Sequence, residues 1–185
     1  MKRKILPYMI VIIIVCATSF YAGRQQYRAR IIDRETDIYI NSLYFSLNDS
    51  IRLLGDIEAL DISINEADFE SGGETFVDLI LGLSRLEILS KKAHGTFGNL
   101  GVKTNQLQFS TSLFSVKNEI FSEIDGNMIS EDGVNFLNEL REDLILMNSS
   151  IYSDETKQEN PSLSINDIDR ILEKFVSKYG VGELD

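Results

Sequence analysis

The chain has 185 residues and a net charge of −11, with 18 Lys or Arg against 29 Asp or Glu. No acid precedes Asp33, and from Ile31 onward 29 acidic residues face 12 basic ones, a balance of −17 that argues against nucleic acid as a partner. Cys16 is the sole cysteine, which excludes disulfides, Cys-based metal sites and thiol nucleophiles from the rest of the chain.

A short basic tail, residues 1–4, holds Lys2, Arg3 and Lys4. Ile5 to Gly23 then runs 19 residues without a charge, bounded on the far side by Arg24. At about 1.5 Å per residue a helix of this length spans about 28 Å, close to the hydrocarbon thickness of a bilayer. Ile10, Val11, Ile12, Ile13, Ile14 and Val15 would favour a buried strand in water. In lipid, where each backbone polar group needs a partner within its own segment, the same run is helical. Tyr8 at one end and Phe20 and Tyr21 at the other resemble an interfacial aromatic belt. Pro7 falls in the first turn, where a missing N–H costs little. The expectation is a transmembrane signal-anchor over 5–23, with Ile5, Ile10, Ile14, Cys16, Phe20 and Gly23 in the bilayer.

Three other readings compete. Val15-Cys16-Ala17 fits a signal-peptidase site that would release a secreted domain beginning at Thr18. A lipoprotein cut before Cys16 would need Gly, Ala or Ser where Val15 stands. A buried core helix seldom goes this long without a charge. Lys2, Arg3, Lys4 and the α-amino group balance Arg24, Arg28, Arg30 and Arg34, so the positive-inside rule ties by count. The first cluster lies tighter to the apolar run and favours an extracytoplasmic domain on a single-pass anchor in a bacterial-type cell membrane.

Residues 24–185 are expected to form one acidic helical domain. Its first element is a long neck helix, about 24–60, possible as a continuation of the anchor. Ile32, Thr36, Tyr39, Leu43, Leu47, Ile51 and Leu54 recur at three- and four-residue spacing on one face. Ile31, Ile38, Phe45 and Leu53 widen that face beyond the seam of a two-stranded coiled coil, which implies packing among several helices. Asn65, Glu66, Asp68, Glu70, Ser71, Gly72 and Gly73 read as a polar loop. Within it Asp61, Ser63, Asn65, Glu66 and Asp68 only faintly resemble a calcium loop, since Glu66 and Gly72 occupy the positions that need Gly and an acid.

A second helix is expected from about Glu74, with Phe76, Leu79, Ile80, Leu83 and Leu86 on its face. Val77, Leu81, Ile88 and Leu89 make it apolar over most of its circumference, which reads as the central helix of the bundle. Lys91 and Lys92 suit its last turn and Gly95 its C-cap. His94, the only histidine, reads as a capping or solvent-facing residue there. Gly95, Gly98 and Gly101 lack the Gly-Lys-Ser/Thr ending of a phosphate loop.

Phe109, Leu113, Val116, Ile120 and Ile124 carry helical spacing to about Asp125, where Gly126-Asn127 breaks the helix. Leu107, Phe109, Thr111 and Leu113 also fit a period of two, so the start of this segment is ambiguous. Ser130 is placed to cap a helix bearing Val134, Leu137, Leu140, Leu144 and Met147. After a loop around 149–162, Ser164 and Asp167 fit a capping-box start. Ile168, Ile171, Leu172, Phe175 and Tyr179 line this last helix, and Gly180 ends it. Glu131-Asp132 and Glu142-Asp143 are adjacent carboxylates, which diverge on a helix and suit a charged outer face better than acid–base chemistry.

The fold class expected is all-α, a single transmembrane helix followed by an antiparallel bundle of about five helices reaching about residue 180. No catalytic, cofactor or metal-ligating constellation stands out. The leading expectation is a non-enzymatic interaction or scaffolding role at the membrane. The bilayer would be one partner and a protein of unknown identity the other, met by a surface around Tyr27, Ile31 and Ile38. A ligand-sensing helical module is the alternative, and a carboxylate-based enzyme the weakest.

Overall fold

Among the described residues, apolar side chains recurring every three or four positions produce five helices: α1 (Ile5–Ala59), α2 (Phe69–Asn99), α3 (Gln106–Ser122), α4 (Glu131–Ile151) and α5 (Ile165–Tyr179). The computed structural model describes residues 5–59, 69–125 and 128–180. Two compact units result, Met1–Glu35 and Thr36–Asp185, and α1 contributes to both.

In the first unit the described apolar side chains from Met9 to Tyr27 meet no core. Met9, Val11 to Val15, Phe20, Tyr21 and Tyr27 are all more than half exposed. Five consecutive exposed residues cover the whole circumference of a helix. Thr18 Oγ1 donates to the Val15 carbonyl at 3.0 Å, a back-bond that satisfies the hydroxyl within its own helix. Among the described residues no helix is long and apolar enough to cross a membrane. Of the charge-free stretch, the side chains of 5–8 and Ile10 lie outside the description. The membrane span and signal-anchor expected over 5–23 are therefore not established by the described residues.

The second unit is an all-α bundle. Its core joins Leu43, Leu47 and Leu54 of α1, Leu79, Leu83 and Leu86 of α2, Phe109 and Leu113 of α3, Leu140 and Leu144 of α4, and Ile168 and Leu172 of α5, all buried. α1 and α2 run antiparallel, with Tyr39 beside Ser90 at one end and Ser50 beside Gly82 further along. A Cβ on Gly82 would stand 3.3 Å from Ser50 Oγ and 3.6 Å from Leu53 Cδ1, so glycine sets how closely these two helices approach. Two short antiparallel pairs flank α4: β1 (Ile124–Asp125) with β2 (Met128–Ile129), and β3 (Tyr152–Ser153) with β4 (Gln158–Glu159).

Both expected caps form. Ser130 Oγ accepts the Gly133 N–H, and Ser164 with Asp167 completes a reciprocal capping box. Other expectations require correction. α2 begins at Phe69, so Glu70, Ser71, Gly72 and Gly73 are helical; Asn65, Glu66 and Asp68 of that expected loop, and the calcium-like residues with them, lie outside the described residues. α2 also passes through Gly95 to Asn99, so Lys91, Lys92 and His94 are not at its end. A glycine inside a helix costs about 1 kcal/mol, less than the burial of Ala93 and Phe97 returns. The left-handed residue of this connector is Gly101, with φ 68°. α3 stops at Ser122, ahead of β1, and the expected break at Gly126-Asn127 lies outside the described residues. α2 is not buried all round, for Val77, Leu81 and Ile88 are exposed.

Candidate functional site

Of the residues expected in the bilayer, Ile5 opens α1, Ile10 lies within it, Ile14, Cys16 and Phe20 are exposed, and Gly23 faces open space. The expected partner surface does not belong to one unit. Tyr27 (69% exposed) and Ile31 (half-buried) lie in the first, and Ile38 (51% exposed) lies in the second.

Within the second unit, the apolar side chains left uncovered gather on neighbouring helices. α2 exposes Val77 (59%), Leu81 (50%) and Ile88 (65%), which recur at helical spacing on one side. α1 adds Phe45, which shares a groove of about 300 Å³ with Asp49, Arg52, Asp78, Leu81 and Arg85. α3 adds Phe114 and Phe121. Lys117 joins the α2 and α3 parts: its Nζ donates to Ser84 Oγ at 3.0 Å and sits 5.9 Å from the Phe114 ring centre. The same ammonium meets Glu87 Oε2 at 2.5 Å, while Lys91 meets Oε1. Burial pushes the Glu87 carboxyl up, but hydrogen bonds from Lys117 and Lys91 outweigh it and hold the group below its ordinary 4.5.

A second concavity lies between α4 and α5. It encloses about 410 Å³ over Leu146, Met147, Ile171 and Phe175, with Asp143, Asp167, Arg170 and Lys174 among its polar groups. Asp143 accepts from Lys178 Nζ and from the Tyr179 hydroxyl, both at 2.7 Å. The Asp143 bond raises Lys178 above the ordinary lysine range, while burial and then Asp143 raise Tyr179. Asp167 is held down by its bonds from Ser164 and forms an ion pair with Arg170 at 2.9 Å. This leaves Lys174 as an ammonium with no ion pair among the described residues. Glu142, adjacent to Asp143, is exposed, so the pair diverges in direction.

The third feature is polar and interior. Tyr39 is buried, its hydroxyl 3.4 Å from Ser90 Oγ. Burial drives this phenol far above its usual range, the Ser90 contact opposes the shift, and Asp169 adds to it. Asp169 accepts the Asn105 N–H at 3.0 Å at the start of α3. Burial raises its carboxyl, partly offset by Asn105 and by Gln106. Gln106 is fully buried, yet neither amide atom makes a well-formed hydrogen bond. Ser110 Oγ, Thr104 Oγ1 and His94 Nδ1 are likewise buried without a partner among the described residues. Sequence reasoning missed this junction because a polar residue on an apolar helix face leaves no periodic signal. Among the described residues no three His, Cys, Asp or Glu side chains gather closely enough to hold a metal ion.

Compared with protein-family models, with curated proteins and with solved structures, the chain matches none.

Proposed function

We propose that this chain is a single-pass membrane protein that holds an acidic helical domain at the bilayer surface for a non-enzymatic interaction or scaffolding role. The observation that carries the reading is the run Val11 to Val15, apolar on every side of α1 and exposed throughout. An apolar helix with no protein around it needs another apolar medium, and a charge-free stretch of 19 residues between basic flanks matches a bilayer. The exposed face of α1, α2 and α3 supports the interaction role, because apolar side chains clustered on an acidic surface mark a place where protein meets protein.

The test is alkaline extraction of membranes from cells making the full chain, alongside the double variant Ile13→Arg/Ile14→Arg. Each arginine at a helix centre costs about 2.5–3.5 kcal/mol of insertion. The parent chain should stay in the pellet and the variant should move to the supernatant. A parent chain released by alkali, or shortened by cleavage near Ala17, would overturn the anchor. Protease added to intact cells should digest the domain; protection would reverse the orientation. The cleft between α4 and α5 favours a second reading, a ligand-sensing module, since its volume falls within the range of small-molecule sites.

A further inference from the structure

The exposed stripe of α2 has a symmetry that identifies its occupant. Val77, Leu81, Ser84 and Ile88 follow one another at steps of four, three and four residues, so they form a single row. The spacing of the row is the same from either end: a large apolar residue lies at each extremity, and the middle pair is Leu81 and Ser84, the latter half-buried against Lys117. Asp78 and Arg85 stand equally far on either side of Leu81-Gly82. Both border the groove shared with Phe45 of α1, so they occupy the same flank of the row. Both are exposed, and neither makes an ion pair or hydrogen bond among the described residues.

We propose that this face binds a second copy of the chain, with α2 packed antiparallel against α2 of its twin about a two-fold axis perpendicular to the helix near Gly82. That operation sets Val77 against Ile88 of the second copy and Leu81 against Ser84. Because it keeps each flank on its own side while reversing direction, it also sets Asp78 of each copy against Arg85 of the other. One patch thus meets itself with both charges complemented, as an isologous interface requires. Phe45 on one side and Phe114 and Phe121 on the other extend the apolar contact beyond the α2 row. The charge pattern matters because two strongly acidic domains repel each other generally. A face that sets an exposed Asp78 beside an exposed Arg85 is one place where they can approach, Arg52 next to it being already ion-paired with Asp56 at 3.1 Å.

The inference rests on the interaction reading above and narrows it to self-association. Its test is the mass of the full chain in detergent micelles, by sedimentation equilibrium or light scattering. Asp78→Arg and Arg85→Asp should each weaken the dimer about tenfold or more, because each places like charges together twice. The double variant Asp78→Arg/Arg85→Asp should dimerise as the parent does. The two single variants, mixed, should pair with each other, since every Arg then faces an Asp. Asn in place of Ile145, exposed on α4, should leave the mass unchanged. A monomeric parent chain, or single variants that fail to pair on mixing, overturns the proposal. Photocrosslinking from position 81 in membranes separates the two claims. Crosslinks to another protein with a monomeric chain would sink self-association alone, while no protein crosslink at all would sink the interaction reading too.

Discussion

The two units use apolar residues in opposite ways. In Met1–Glu35 the described apolar side chains from Met9 to Tyr27 lie open around the helix, whereas in Thr36–Asp185 most of them turn inward. Hydrophobicity alone thus does not predict burial in the protein: what decides is whether the apolar residues occupy one face or the whole circumference. A one-sided pattern finds its complement on a neighbouring helix, and an all-round pattern requires a surrounding apolar medium. The exposed row of α2 is an intermediate case, a helix with one apolar face satisfied and a second one open.

Five substitutions sharpen this contrast. Leu113→Ala, at the centre of α3, is expected to cost the second unit about 2–5 kcal/mol, seen as a lowered denaturation midpoint. Leu81→Ala on the open row should change that midpoint by no more than about 0.5 kcal/mol. Equal effects would show that the open row of α2 is packed as closely as the core.

Glu87→Gln should cost about 2 kcal/mol at pH 7, because it leaves Lys117 nearly buried without a counter-charge. The sign with pH follows from the lowered carboxyl. A depressed folded-state value contributes stability that is present above the ordinary 4.5 and is lost as pH falls through the folded value. Parent and variant should therefore converge on acidification below about pH 4.5, followed by urea melts across that range. A gap that persists at low pH would mean that the ion pairs are not its source.

Ser164→Ala removes the capping box of α5 and should cost about 1 kcal/mol; no loss would mean that water satisfies the first turn of α5 equally well. Gln106→Leu is expected to act in the opposite direction. A buried amide without partners is a liability, so its removal should leave stability unchanged or raise it by about 1 kcal/mol. A clear loss would show that the amide is satisfied in solution.

The buried faces were legible from spacing because packing enforces period 3.6: Leu43, Leu47, Leu83, Leu113, Leu140 and Leu172 are where periodicity puts them. Helix ends were legible where a side chain makes the cap, as at Ser130 and Ser164. They were not where an end depends on tertiary burial, as at Gly72, Gly73 and Gly95, whose local cost the packing of α2 overrides. The widening residues Ile38 and Phe45 suggested close packing on several sides but are half exposed, because spacing tells which residues share a face and not whether a neighbour covers it. The two short hairpins escaped notice because two-residue strands are too brief to show alternation. Asp143 looked like half of an outer-face carboxylate pair, and only the fold brings Lys178 and Tyr179 to it across 35 and 36 residues.

One contact between α1 and α4 bears on how this chain would behave in a glycosylating compartment. The sequence carries two acceptor tripeptides, Asn48-Asp49-Ser50 and Asn148-Ser149-Ser150. In the fold the two asparagines meet each other, Asn148 Nδ2 donating to Asn48 Oδ1 at 3.1 Å in a part-buried position. The nitrogen that would carry a sugar at Asn148 is therefore already committed to the other acceptor site. Asn48 thereby shelters the second tripeptide, and a glycan on Asn148 would record a moment before α1 and α4 had come together.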